Sequence, residues 1–210
     1  ISLTRAVEGS PQLFVLDSIT KEGLISTDIN LKFDLDGEIK NNYQITGTVK
    51  KAKFNIFNKV EIDDLNLSFN ISNNQLTLKK IETNLNSIKL KSPLIKIEKK
   101  KDIFFVDGEV ANKEQNFDIN KLKPIFGDLP NNIEIEKIDF NSVNIFSFNV
   151  NKKLKLNNLK LETNLNLENF QIVKNPLNLK TFLPNYTEQI KFKDHKIKIK
   201  LIKGILDIRG

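Results

Sequence analysis

The chain has 210 residues, enough for one ordinary domain or for part of a longer protein. Hydrophobic residues make up 39% of it and charged residues 28%, a balance that suits a folded chain rather than a disordered one. The formal net charge is +7, and the absence of cysteine excludes disulfides, thiol nucleophiles and cysteine-held metals.

Period-two alternation is the dominant signal along the chain. Ile29, Leu31, Phe33 and Leu35 alternate with Asn30, Lys32, Asp34 and Asp36. Asp36-Gly37 and Asn41-Asn42 then read as turns before Tyr43, Ile45 and Val49. Leu65, Leu67, Phe69 and Ile71 alternate with Asn66, Ser68 and Asn70, and Asn73-Asn74 turns the chain into Leu76 and Leu78. Ile88 and Leu90, then Ile95 and Ile97, continue the pattern up to a further turn signal at Asp107-Gly108. Asn120 to Gly127 is a weak helical candidate because Pro124 sits inside it. After Asn131-Asn132 come Ile133-Ile135 and Leu154-Leu156, a turn signal at Asn157-Asn158, and then Leu159-Leu161 and Leu165-Leu167. Asn175-Pro176 reads as an N-cap followed by proline at the first helical position, leading to Leu183. Ile197, Ile199 and Leu201 close the series.

The fold class predicted is all-β: an antiparallel meander with one or two short helices. At roughly 12 residues per strand and turn the chain would hold about 16 strands. Alternate side chains point to opposite faces, so each strand carries one oily and one wet face. The oily face must be covered, either by a second sheet in a closed sandwich or by something outside the sheet.

A repeat is visible. Glu82-Thr83-Asn84-Leu85-Asn86 recurs as Glu162-Thr163-Asn164-Leu165-Asn166. Upstream, Phe69-Asn70-Ile71 matches Phe148-Asn149-Val150, and Val60-Glu61-Ile62 matches Ile133-Glu134-Ile135. The matches keep their order, which predicts related segments around 60–130 and 133–190 within one continuous elongated stretch, 1–210.

Few residues invite chemistry. His195 is the only histidine and, with no cysteine or second histidine to join it, reads as a surface residue at a turn. Asp63-Asp64 reads as the carboxylate pair of a bend. No nucleophile elbow, phosphate loop or metal-ligand spacing is present, so no catalytic residue, metal or cofactor is expected. Asn66-Leu67-Ser68 and Asn185-Tyr186-Thr187 match glycosylation sequons, which an asparagine-rich chain generates by chance.

The lysines are interleaved with acids, and arginine occurs only at Arg5 and Arg209, so the bidentate contacts of nucleic-acid readers are missing. No nucleic-acid partner is expected. Between Ile190 and Lys203, Lys191, Lys193, Lys196, Lys198 and Lys200 stand among apolar residues. That stretch fits either anionic head groups at a membrane surface or a solvated strand face or protected edge. The chain starts at Ile1 and lacks methionine, which predicts a segment whose leader or anchor lies elsewhere.

Asp64-Leu65-Asn66-Leu67-Ser68-Phe69-Asn70-Ile71, a turn, Leu76-Thr77-Leu78, then Ile81 to Leu90 and Ser92-Pro93 followed by Ile95-Lys96-Ile97 form one pattern. With Phe105-Val106-Asp107-Gly108-Glu109-Val110 it resembles the AsmA-like superfamily of Gram-negative envelope proteins, over roughly Ile25 to Gly210. Members are similar to bridge-like lipid transfer proteins. The resemblance implies a curled antiparallel sheet forming an open apolar groove, no catalytic motif, and phospholipid acyl chains as partners. It also implies a periplasmic location, with an inner-membrane anchor outside this chain, and a role in outer-membrane phospholipid transport or homeostasis. On that reading Leu31, Phe33, Leu35, Leu65, Leu67, Phe69, Leu76, Leu78, Leu159, Leu161, Leu165 and Leu167 line the groove. The alternative is a closed β-sandwich acting as a structural or adhesin-like binding module.

Overall fold

The computed structural model describes residues 20–33, 35–36, 43–56, 60–72, 74–114, 116–119, 134–153, 155–174 and 190–210. They are 86% strand, contain no α-helix, and form an antiparallel sheet that is open rather than closed into a barrel. Both helix candidates, the Asn41-Asn42 and Asn131-Asn132 turns and the sequon at Asn185 fall outside the described residues.

The chain divides into two compact units, Ile1–Glu98 and Lys99–Gly210. In the first, β1 (Thr20–Asn30), β2 (Gln44–Ile56), β3 (Val60–Ser72), β4 (Gln75–Leu85) and β5 (Ile88–Lys100) pair in chain order, each antiparallel to the one before. The cut between the units comes two residues before the end of β5. In the second, β6 (Ile103–Glu114), β7 (Glu134–Asn151), β8 (Leu156–Lys174), β9 (Ile190–Ile202) and β10 (Ile205–Arg209) also pair in chain order. Among the described residues this is the predicted antiparallel meander, and most of its strands are longer than 12-residue spacing suggested.

The strands are longer because several signals that read as strand ends lie inside strands. Asp107 and Gly108 sit mid-β6, opposite Ser147 and Phe146. Asn157 and Asn158 lie in β8, and Asn158 has a positive φ of 54°. Lys51 in β2, Asp64 in β3, Lys80 in β4 and Asp194 in β9 have φ of 51–52°. One residue in the left-handed region inside a strand offsets the pleat and reverses which later residues face which side. Asp63-Asp64 is such a bend, as expected, but it bends a continuous strand.

Three bulges fall at neighbouring levels of adjacent strands. Between the pairs Val49↔Leu67 and Ala52↔Leu65, Lys50 and Lys51 face Asn66 alone. Between Asp63↔Asn84 and Asn66↔Glu82, Asp64 and Leu65 face Thr83 alone. Lys80 and Ile81 likewise face Leu67. Polar side chains satisfy the disturbed backbone: Asn66 Oδ1 accepts from the Lys51 N–H at 3.1 Å, and Asn66 Nδ2 donates to the Asp64 carbonyl at 2.7 Å. Thr83 Oγ1 donates to the Asp63 carbonyl at 2.9 Å. On β1 the matching irregularity is Gly23, φ 142°, where a Cβ would lie 2.9 Å from Ala52. Only glycine fits so close an approach.

Candidate functional site: one apolar face per unit

Opposite partners in an antiparallel pair project to the same side. In the first unit the register therefore collects Ile45, Ile71, Leu76 and Ile97 in one row, and Val49 with Leu67 in another. A third row joins Phe69, Leu78 and Ile95, with Gly47 beneath the Phe69 ring. A Cβ at Gly47 would run into that ring and into the Ser26 carbonyl, so glycine here makes room for an aromatic neighbour. Beyond the bulges the same side continues through Ala52, Leu65, Ile81, Thr83, Leu85, Ile88 and Leu90. Burial agrees: Ile81 and Ile88 are buried, whereas Lys79, Lys80, Glu82, Lys89, Lys91 and Lys96 are exposed.

In the second unit one side carries Phe104, Val106, Phe146, Phe148 and Val150, then Leu161, Leu165 and Leu167. Ile197, Ile199 and Leu201 extend it on β9, and Leu206 and Ile208 on β10. Aromatic rings reinforce it: Phe146 stacks on Phe148 at 5.9 Å and Phe170 meets Phe192 across β8–β9 at 5.6 Å. Phe117, after β6, is buried edge-on against Phe140 at 5.3 Å and donates its N–H to the Ile138 carbonyl at 2.8 Å.

These faces are only partly covered. Among the described residues, five apolar side chains are buried: Ala52, Ile81, Ile88, Phe117 and Ile138. Among the described residues no large side chain falls below 2% exposure. A sandwich core would place entire rows near zero. Within each unit the described apolar rows lie half-exposed on one face of the sheet.

A polar interruption crosses the face of the second unit. Asn112, Ser142, Asn144 and Thr163 occupy the apolar side of β6, β7 and β8. They form a directed chain in which Thr163 Oγ1 donates to Asn144 Oδ1 at 2.9 Å and Asn144 Nδ2 donates to Ser142 Oγ at 2.9 Å. The Ser142 hydroxyl donates to Asn112 Oδ1, while Asn144 Nδ2 also reaches the Val110 carbonyl at 3.1 Å. Ser142 is buried.

The opposite faces are wet and laced with ions. Lys53 bridges Glu61 at 2.9 Å and Asp63 at 3.8 Å, and the Glu61 hydrogen bond chiefly raises the Lys53 pKa above the ordinary lysine value. Glu162 accepts from Lys198 at 2.8 Å and Lys200 at 3.2 Å, which holds its carboxyl below the usual range. These pairs are solvated and screened.

No family model, curated protein or solved structure matches the chain. The site rests on geometry alone.

Of the residues expected to line a groove, the register brings Leu65, Leu67, Phe69, Leu76 and Leu78 onto one face of the first unit. Leu161, Leu165 and Leu167 share one face of the second. Leu159 follows the Asn158 bulge in β8 and borders a depression of about 480 Å³ whose lining includes Phe105, Asp107, Ser147 and Lys160 of the wet face, so it is not part of an apolar trough there. Leu31, Phe33 and Leu35 are not brought into these rows. β1 ends at Asn30, and they stand beyond it at 38%, 56% and 105% exposure. Sequence reasoning missed Ile81, Thr83, Leu85 and the aromatic set Phe140, Phe146 and Phe148. For the three residues of β4 the signal was a switch of alternation from even to odd positions between Leu78 and Ile81.

His195 is exposed, as expected, but lies within β9 rather than at a turn, paired with Leu167 and 6.0 Å from the Phe192 ring. Among the described residues no cluster of three His, Asp or Glu is placed to hold a metal, and no helix is long and apolar enough to cross a membrane.

Proposed function

We propose that this chain is a non-enzymatic lipid-handling segment whose apolar faces shield acyl chains. The observation that carries the reading is a set of contiguous Ile, Leu, Val and Phe rows, half-exposed on a single open layer. At ~0.8 kcal/mol per CH₂, drawing a sixteen-carbon tail through water costs roughly 13 kcal/mol. A continuous apolar track removes that barrier without chemistry at any one point. Branched aliphatic linings suit the task because fluid tails demand area rather than exact complementarity. The resemblance to AsmA-like proteins extends the proposal to phospholipid transport between the membranes of a Gram-negative envelope, from an inner-membrane anchor outside this chain. The acyl chains are the partners, and no cofactor takes part.

The test is lipid retention. Purified from a bacterial host, the chain should carry co-purifying phospholipid detectable by extraction and native mass spectrometry. Leu67→Asp, Phe69→Asp and Leu78→Asp together place three carboxylates in the middle of the first unit's apolar face. That variant should lose most of its lipid while keeping its β-sheet circular dichroism. Undiminished lipid in a folded triple variant, or none in the parent, defeats the reading.

A further inference from the structure

The lysines of β9 form a continuous cationic row on the face opposite the apolar one. Lys196, Lys198 and Lys200 stand opposite Asn166, Asn164 and Glu162, and Lys191 and Lys193 opposite Gln171 and Asn169. By simple alternation the odd-numbered and even-numbered lysines would project to opposite sides. Asp194, φ 52°, absorbs the offset and puts all five on one side. The row extends about 30 Å at ~3.3 Å per residue. Lys160 joins it from β8 through its pairing with Ile202.

Acids on the same face cancel the row only in part. Glu162 is shared by Lys198 and Lys200, and Asp207 is engaged by Arg209 at 2.8 Å. Glu168 on β8 accepts from Asn141 at 2.7 Å, and Asp139 on β7, opposite Asn169, accepts from the Asn116 N–H at 2.5 Å. With Asp194 these are five acids against Lys160, Arg209 and the five lysines of β9, which leaves an excess of positive charge. The acids Asp107 and Glu109 lie on β6, three strands and about 14 Å away, beyond a Debye length of ~8 Å. The same face also exposes Ile145, opposite Glu162, and Ile202, opposite Lys160, at 50% and 46%.

We propose that this lysine-and-isoleucine face of the second unit docks on an anionic phospholipid bilayer surface. Diffuse lysine charge beside exposed aliphatic side chains is what a head-group interface rewards. Nucleic acid fits less well. On this face β8, β9 and β10 contribute no aromatic ring for stacking, and Arg209 is already paired with Asp207. An acidic strand adding to the sheet would use the β10 edge rather than the face from which the lysines project. The proposal is independent of the hydrocarbon-binding face and stands or falls separately from it.

Vesicle flotation tests it. The chain should float with vesicles of two-thirds phosphatidylcholine and one-third phosphatidylglycerol, should stay behind with phosphatidylcholine alone, and should be released by added salt. Lys191→Gln, Lys193→Gln and Lys196→Gln together should weaken partitioning roughly a hundredfold, about fivefold for each lysine. Removing the same charge elsewhere, with Lys79→Gln, Lys89→Gln and Lys96→Gln, should change it less than twofold. Ile145→Ser with Ile202→Ser should weaken the part of the binding that survives high salt. Equal binding to neutral vesicles overturns the proposal. So does a β9 triple variant that floats like the parent, or a parent that ignores anionic vesicles yet is retained by an acidic polypeptide column.

Discussion

The residues that most restrict the second unit are polar ones on its apolar side. Ile, Leu and Phe at alternate positions make a face that tolerates slippage by two residues, because each new partner is as oily as the last. The chain Thr163–Asn144–Ser142–Asn112 has no equivalent after such a shift. It therefore fixes the pairing of β6, β7 and β8. Replacing Asn144 by Leu removes an acceptor for Thr163 and donors to Ser142 and the Val110 carbonyl. The cost should be about 1–3 kcal/mol, because partners are left desolvated and unpaired. Replacing Asn144 by Leu, Thr163 by Val and Ser142 by Ala in one chain should recover part of that loss, since no polar group then waits for a partner. Urea midpoints for the single and combined variants measure the coupling. A single variant as stable as the parent would remove the network from the account of register.

At the scale of whole strands, the bulges decide what could be read in advance. Strand type, antiparallel order and the rows Leu65–Leu67–Phe69 and Leu76–Leu78 were legible, because unbroken alternation states its own face. The lengths of β3, β5 and β8 were not. A parity switch at Asp64, Pro93 or Asn158 looks like an end followed by a new strand when only the pattern is seen. In β5 the apolar rows run Ile88, Leu90, then Ile95, Ile97 within one strand, with Pro93 exposed between them. Asn73-Asn74 does fall between β3 and β4, whereas Asn157-Asn158 and Asp107-Gly108 misled for a related reason. Asn and Asp adopt positive φ as readily in a bulge as in a hairpin, and Gly108 supplies only a small partner for Phe146. Lys80 gives a clean test of the bulge. Glycine carries no Cβ penalty at φ 52°, so Lys80→Gly should be neutral or slightly stabilising. Lys80→Val should cost more than about 1 kcal/mol, because a β-branched side chain resists the left-handed region. Thermal unfolding of the pair gives the order, and a valine variant no less stable than the glycine one would contradict the assigned conformation.

Across the whole molecule the balance of burial separates this chain from an ordinary globular domain. Folding needs apolar area taken out of water, yet the described residues leave Leu24, Ile25, Ile29, Ile205 and Ile208 at least 60% exposed, and the central rows half-covered. On the proposed function the chain gains stability from the acyl chains on its faces, since a ligand bound to the folded state alone stabilises it by RT ln(1 + [L]/Kd). Delipidated protein should therefore melt at a lower temperature than protein carrying phospholipid. Returning lipid below its own aggregation threshold should raise the midpoint in a concentration-dependent way, by about 2.7 kcal/mol of stabilisation at a hundred times Kd. The Leu67→Asp, Phe69→Asp, Leu78→Asp variant should show a much smaller rise, because one unit's face no longer accepts chains. If the parent melts identically with and without lipid, its apolar rows are not a binding surface, and the half-exposed faces call for a covering partner of another kind.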